Sequence, residues 1–405
     1  MDYLLLRIKQ LEKETGVKRS IFAACPNSAA VIRAALKSAQ RCNAPIKFDA
    51  TLNQVDLDGG YTGMTQQSFV QTICENARAY NIHVPVIIAI DHGGPWLKDK
   101  HARENWSYVK SMEAVKTSFK AAIEAGYDLI HVDPTVDITL PKSEILSIAT
   151  VVDRTVELIA FAENFRKENA ISPISYEVGT EEVHGGLADL SVFTHFLELL
   201  KSGLAAKGLE YVWPCFVVGK VGTDLHTTDF DPETAKKLVE IAARYGSVIK
   251  GHYSDNVSNP EAYPASGMGG ANVGPEFTEL EYSGLMELLE IEAKLLNEKK
   301  LIRASGLKKT IWQAVIASGR WRKWLHADES SDDFYKNYPS RQEWLIQTGS
   351  RYIWENPAVV TARAELYANL EAQGIRASEI VESRIESAMD KYFYAFRLVG
   401  LNSLL

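Results

Sequence analysis

Asp91-His92 in AIDHGG, His226 in TDLHTTDF and His252 in IKGHYSDN each end a hydrophobic, β-branched run. Neutral imidazoles bind a divalent ion, and a carboxylate beside them can carry a proton to and from a hydroxyl. A fourth such run, SYEVGTEE, ends in Glu181 and Glu182, either of which offers a further ligand or a general base. Strand alternation sets Glu177 on the side of Glu181 and opposite Glu182. Any one of these histidines has a plainer role as a buried ring satisfied by backbone. Their shared place at strand ends makes His92, His226 and His252 a three-imidazole metal site with an open position. Zinc is the expected ion, with manganese or nickel as alternatives. Such an ion is a Lewis acid that polarises a carbonyl, with Asp91 as the proton carrier. His131 and Asp133, in IHVDPT, also lie at a strand end and are expected to orient a ligand or touch substrate.

Residues so far apart in sequence meet only if the fold gathers strand ends. Eight apolar runs occur near 20–25, 45–51, 84–91, 129–135, 174–181, 211–219, 248–254 and 270–276. Short runs of this kind, bounded by turn residues, are what parallel strands buried on both faces look like. Helical segments intervene: Ser28 and Thr65 open two of them, Gly126 ends another, and Asp231-Pro232 opens one that stops at Gly246. Eight-fold alternation predicts an α/β fold, a TIM (β/α)8 barrel, whose loops converge on one mouth. The seventh connection departs from the pattern: NVSNPEAYPASGMGG is polar and rich in Pro and Gly where a full helix is expected. From about residue 277 the chain reads as helical and aromatic, with Trp312, Trp321, Trp324, Trp344 and Trp354. The expected division is a barrel over 1–300 and a C-terminal helical extension over 301–405, packed on the barrel and able to close the site.

Two stretches offer grips for a polar ligand. ATLNQVDLDGGYTGMT places Asn53, Gln54 and Gly60 after the second strand, and amides suit sugar hydroxyls because they donate and accept at once. SGMGGANVGP, with Asn272, can present backbone N–H groups to an oxygen-rich ligand. Asp133 and Asp255 complete the expected substrate-facing set. Lys250 is the obvious cation near these loops. The net charge of −8 is spread without a basic stripe, which argues against nucleic acid or an anionic membrane as partner. The first strand has no GxGxxG after it, and no Walker motif cradles a phosphate, which disfavours dinucleotide binding and kinase chemistry. Four scattered cysteines without CxxC spacing and a charged N-terminal segment point to a reduced, cytoplasmic protein with no membrane span.

NQVDLDGGYTGMT, IDHGGP, IHVDPT, SYEVGTE and NVGP resemble segments of the non-catalytic subunit of class II tagatose-bisphosphate aldolase, the GatZ/KbaZ type. The resemblance runs from about residue 20 through the barrel and more faintly through RYIW in the tail. It implies a TIM barrel related to the catalytic class II aldolases, where an Asp-His pair and two later histidines form the metal site. By that resemblance Asp91 is the acid/base, His92, His226 and His252 are the ligands, and Glu181 assists the ion or an enediolate. The class II aldolases follow their last histidine with a GGSG-like phosphate loop, whereas GHYSDNVSN stands here. Asp255 in that loop would repel a phosphate, which points to a sugar lacking one at that end.

The resembling family includes members similar to metal-dependent ketose 4-epimerases, and by that resemblance the expected function is retro-aldol chemistry on a ketose, giving C4 epimerisation of a ketohexose of the fructose/tagatose type. Its rivals are a non-catalytic subunit that stabilises a class II aldolase, and an aldolase cleaving a phosphorylated ketose. Expected partners are a ketose sugar or sugar phosphate, and a second copy or an aldolase catalytic subunit.

Overall fold

The computed structural model describes residues 1–141, 144, 146–179, 187–223, 227–326 and 328–405. Each of the eight apolar runs coincides with a strand, β3 running two residues past its run: β1 Ile21–Ala24, β2 Ile46–Thr51, β3 Val86–Gly93, β4 Leu129–Val132, β5 Ser175–Val178, β6 Phe216–Val218, β7 Val248–Gly251 and β8 Gly270–Val273. Every strand pairs in parallel with the next, and β8 pairs with β1, so the sheet closes into a TIM barrel ringed by helices. The helix signals hold locally. Ser28 accepts from the Val31 amide, Thr65 and Ser68 form a reciprocal capping box, and Gly126 and Gly246 stop their helices in left-handed geometry. Asp231 caps the Thr234 amide with Pro232 in the first turn. The seventh connection holds only the five-residue helix Ala262–Ser266, as its Pro and Gly content implies.

Side chains at alternate strand positions fill the lumen in layers. The lowest is apolar: Ala89, Leu129, Cys215 and Phe216, with Met1 and Leu5 packed beneath. Helix Asp2–Thr15 thereby plugs the end where the strands begin, and its Asp2 amide donates to Ser175 Oγ at 3.2 Å. Above that layer lie four fully buried charged side chains, Lys47, Asp49, Glu177 and Lys250. The chemistry-bearing residues sit above these again, at the C-terminal mouth.

Helix Pro275–Asn297 follows β8, and helices Leu307–Ser318, Pro339–Gly349, Pro357–Glu371 and Ala377–Ala395 come after it, with 3-10 turns at Arg320–Trp324, Phe334–Lys336 and Ser350–Tyr352 between the second and fourth of the five. The last of these helices lies against helix Ala29–Cys42. Its Glu382 takes Arg33 and Lys37, each at 2.6 Å, and Asp390 takes Arg41. Its Tyr392 stacks on Phe22 of β1 at 5.5 Å, with Phe393 edge-on at 5.1 Å. Burying Ile385, Met389 and Phe393 there stabilises the packing by about 1.5–3 kcal/mol per side chain. The four cysteines are free. No helix among the described residues is long and apolar enough to cross a membrane.

Candidate active site at the barrel mouth

The site begins with how β3 ends. Alternation points Asp91 into the lumen, and in a regular strand His92 would point away. Instead the β3–β4 register shifts between Ile90 and Gly93, and His92 adopts φ +50°. This left-handed turn, costing about 1–3 kcal/mol for a non-glycine residue, lets both neighbours serve one site. The two glycines that follow are required by close approach. A Cβ on Gly93 would lie 2.5 Å from the Phe119 ring, and one on Gly94 would lie 1.8 Å from the Asp133 carbonyl oxygen.

One ligand atom each from Asp91, His92, His131 and His252 fall within 4.8 Å of one another. Asp133 aims the first ring: its Oδ2 lies 2.5 Å from His92 Nδ1, which leaves His92 Nε2 for the site, 3.9 Å from Asp91. The other Asp133 oxygen accepts from Thr135 at 2.6 Å. A carboxylate behind an imidazole fixes its tautomer and raises its basicity as a ligand. His131 Nε2 and His252 Nε2 are buried and have no hydrogen-bond partner among the described residues. A cluster of three imidazoles and a carboxylate with orphaned ring nitrogens fits a borderline divalent ion such as zinc, manganese or nickel.

Burial alone would keep the Asp91 carboxyl protonated, but His92, His252 and Lys250 outweigh it and hold the group well below the usual carboxylate range. Burial depresses His252 to about 4, so it stands neutral and ready as a ligand. Burial also opposes protonation of His92, yet Asp91 and Asp133 raise it to about 9. An ion entering the cluster would displace that proton.

Beneath the cluster, Lys250 Nζ donates to Asp49 at 2.6 Å and to both Glu177 oxygens at 2.8 and 2.9 Å. Lys47 pairs with Asp49 and lies 3.7 Å from Glu177. Glu177 reaches up to His252 Nε2 at 3.4 Å and His131 Nδ1 at 3.6 Å. Lys250 is therefore not the loop cation that its place in the sequence suggests. It sits inside β7 with its charge fully engaged, and Asp49 and Glu177 are the reason.

A cavity of about 250 Å³ opens over the cluster, lined by Asp91, His92 and His252 below and by Asn53, Gln54, Asp255 and Asn272 at its sides. The amides differ in what they have left to offer. Asn53 spans the Leu97 carbonyl and the Asp99 amide at 2.9 Å each, pinning the loop after β3. Gln54 donates to the Pro26 carbonyl at 2.8 Å and accepts from the Thr51 amide at 2.9 Å. Gly60 does not line the cavity; it turns with φ +53° where a Cβ would lie 2.3 Å from the Gln54 carbonyl. Asn272 alone of these amides is buried with both polar atoms unpaired among the described residues. Asp255 accepts from the Gly274 and Glu276 amides at 2.8 and 2.9 Å, and burial lifts it to about 7. Asp133 stands behind His92 rather than in the cavity wall. His226, Glu181 and Glu182 lie outside the described residues.

His131 joins the cluster, a closer role than its strand-end position alone implied. The extension also closes over the cavity, with Arg320, Lys323, Trp324, Arg351 and Tyr352 in its lining. The sequence signal for these was the aromatic–basic runs RWRKW and RYIW.

Fold and site together define a TIM barrel with a cluster of three imidazoles and one carboxylate at its C-terminal mouth. The solved structure of a probable tagatose 6 phosphate kinase from Sinorhizobium meliloti 1021 aligns with a TM-score of 0.77 at 22% identity, over 93% of this chain and 100% of that one. A fructose-bisphosphate aldolase from Campylobacter jejuni aligns with a TM-score of 0.54 at 13% identity, over 98% of this chain and 94% of that one. At these identities the likeness is one of fold. The family described as D-tagatose-1,6-bisphosphate aldolase subunit GatZ/KbaZ-like matches residues 6–393, and the chain belongs to that family.

Proposed function

We propose that this chain is a metal-dependent enzyme that breaks and re-forms the C3–C4 bond of a ketose, with C4 epimerisation of a ketohexose as the net reaction. The observation that carries this reading is the convergence of Asp91, His92, His131 and His252 within 4.8 Å under a sugar-sized cavity. A divalent ion held by the cluster would supply Lewis acidity toward the ketose carbonyl. His226 and Glu181 are proposed as a further ligand and a helper to the same site.

Asp91, ionised at neutral pH, takes the proton of the C4 hydroxyl. As that O–H bond breaks, C4 becomes an aldehyde carbon, and the C3–C4 electron pair moves into C3 and the C2 carbonyl as an enediolate. Asn272 offers its unpaired amide to a sugar hydroxyl. Trp324 and Tyr352 wall the cavity and retain the aldehyde fragment. If the fragment turns before the bond re-forms, Asp91 returns its proton and C4 is inverted; if it leaves, the net reaction is cleavage.

The family description names an aldolase subunit, and that favours a second reading in which the chain supports a separate catalytic partner. A kinase reading has no phosphate-cradling motif in this sequence to rest on. Product analysis separates the two surviving readings. The lone chain is incubated with D-fructose, D-tagatose and their phosphates, with added zinc, manganese or nickel. Interconversion that disappears in Asp91→Asn supports the enzyme. Absence of turnover, together with activation of a co-purified aldolase, would establish the supporting subunit.

A further inference from the structure

Two side chains of the helical extension reach across to the barrel at the cavity. Arg320 and Lys323, in the turn Arg320–Trp324, both line the cavity, and both charged ends finish on Asp99 in the segment that follows β3. Among the described residues Asp99 is the one carboxylate that either cation pairs with.

The parts that these side chains join are each held firmly. On the barrel, Asn53 accepts from the Asp99 amide at 2.9 Å. Lys98, one residue earlier, is committed to Asp56 and Asp58 at 2.5 and 2.8 Å, which leaves the Asp99 charge for the extension. On the extension, Trp321 and Trp324 are buried among its own aromatics, edge-on to Phe334 at 5.2 Å and to Trp344 at 6.1 Å. What is left to move is the pair of long side chains between them. Lys323 is 47% exposed and Asp99 23%, so water and salt reach these pairs and weaken them, unlike the lumen pairs below. Arg320 also has somewhere to stay when the acid lets go, because its guanidinium lies 4.1 Å from the Tyr352 ring of the extension.

We propose that Arg320, Lys323 and Asp99 form a gate over the cavity: the two cations bar it while Asp99 holds them, and ligands pass when they release it. The gate goes beyond the ketose reading and does not depend on it, since it acts on whatever enters the cavity. Within that reading, a closed gate keeps the aldehyde fragment in place between bond cleavage and bond formation.

Cys25 reports on the gate because it lines the same cavity, whereas Cys74 lies on helix Gln66–Ala79 away from it. The wild-type chain, Asp99→Asn and Lys323→Met are treated with N-ethylmaleimide, an uncharged thiol reagent that the changed charge does not steer. Labelling of each cysteine is followed by peptide mass spectrometry, with circular dichroism to confirm that the variants are folded. Asp99→Asn should label Cys25 about 10- to 30-fold faster than the wild type, as expected for losing two partly screened ion pairs, with Cys74 unchanged. Lys323→Met leaves Arg320 on the acid and should give a smaller rise. Added salt should speed Cys25 labelling in the wild type and barely alter it in Asp99→Asn. Equal Cys25 rates in the wild type and a folded Asp99→Asn overturn the proposal. So does a parallel rise at Cys74, which would show general loosening rather than an opened gate.

Discussion

Replacing Lys250 by methionine removes the ammonium that Asp49 and Glu177 share at 2.6 to 2.9 Å. Leaving the histidines aside, Lys47 and Lys250 face three carboxylates in this part of the lumen, Asp49, Glu177 and Asp91. The wild type therefore holds one negative charge in excess, and the variant holds two. Asp49 and Glu177 are fully buried, so bulk solvent does not reach them to replace the lost partner. Breaking a buried ion pair from one side costs about 3–5 kcal/mol, and that is the expected loss on chemical unfolding followed by tryptophan fluorescence. Lys250 also lies 3.8 Å from Asp91 and helps hold it ionised, so the acidic limb of any Asp91-dependent rate should move to higher pH. Adding Glu177→Gln to Lys250→Met leaves the Lys47–Asp49 pair balanced and should recover most of the stability. A loss below about 1 kcal/mol in the single variant, or a double variant no better than the single, would refute the reasoning.

Asp133→Asn should weaken divalent-ion affinity by about 10- to 100-fold, since Asp133 acts through His92 Nδ1. A chelator competition titration reads this directly, and unchanged affinity would remove Asp133 from the site. Gly94→Ala places a Cβ 1.8 Å from a carbonyl oxygen and should destabilise by about 4 kcal/mol or more; a thermal midpoint like that of the wild type would show the strand ends to be further apart. Asp255, raised by burial to about 7, binds its proton more tightly folded than unfolded. Its contribution is thus fully present below the ordinary carboxylate pKa and declines as pH rises toward 7, by about 1.4 kcal/mol per unit. Asp255→Asn should flatten that decline in unfolding experiments between pH 4 and 7, and an unchanged profile would contradict it.

The barrel was legible because a strand buried on both faces has few ways to be written. Runs such as VPVIIAID and YVWPCFVVG are β-branched, short and punctuated by turn residues, and every one of the eight coincides with a strand. Helix ends were equally readable where a cap is a local bargain between one side chain and one amide, as at Ser28 and Asp231. The lumen charges were harder. Lys47 and Asp49 sit two apart inside IKFDAT, and only closure of the barrel brings Glu177 and Lys250 against them. Asn53 and Gln54 have side chains suited to sugars, yet backbone groups of neighbouring loops engage them first. His131 belongs to the cluster because the β3 bulge turns His92 toward it, a register event that no residue spacing announces. Arg351 reaches the cavity from a helical region far from the strand ends. Its aromatic neighbours mark packing as readily as they mark a site.

The most direct test of the central claim measures metal content and turnover together on the lone chain, after stripping with a chelator and reloading with zinc, manganese or nickel. The account expects one ion per chain and ketose interconversion in the wild type, neither in His92→Ala, and an ion without turnover in Asp91→Asn. Full turnover by the stripped chain would contradict it, as would a stoichiometric ion in the wild type with no turnover of any ketose or ketose phosphate.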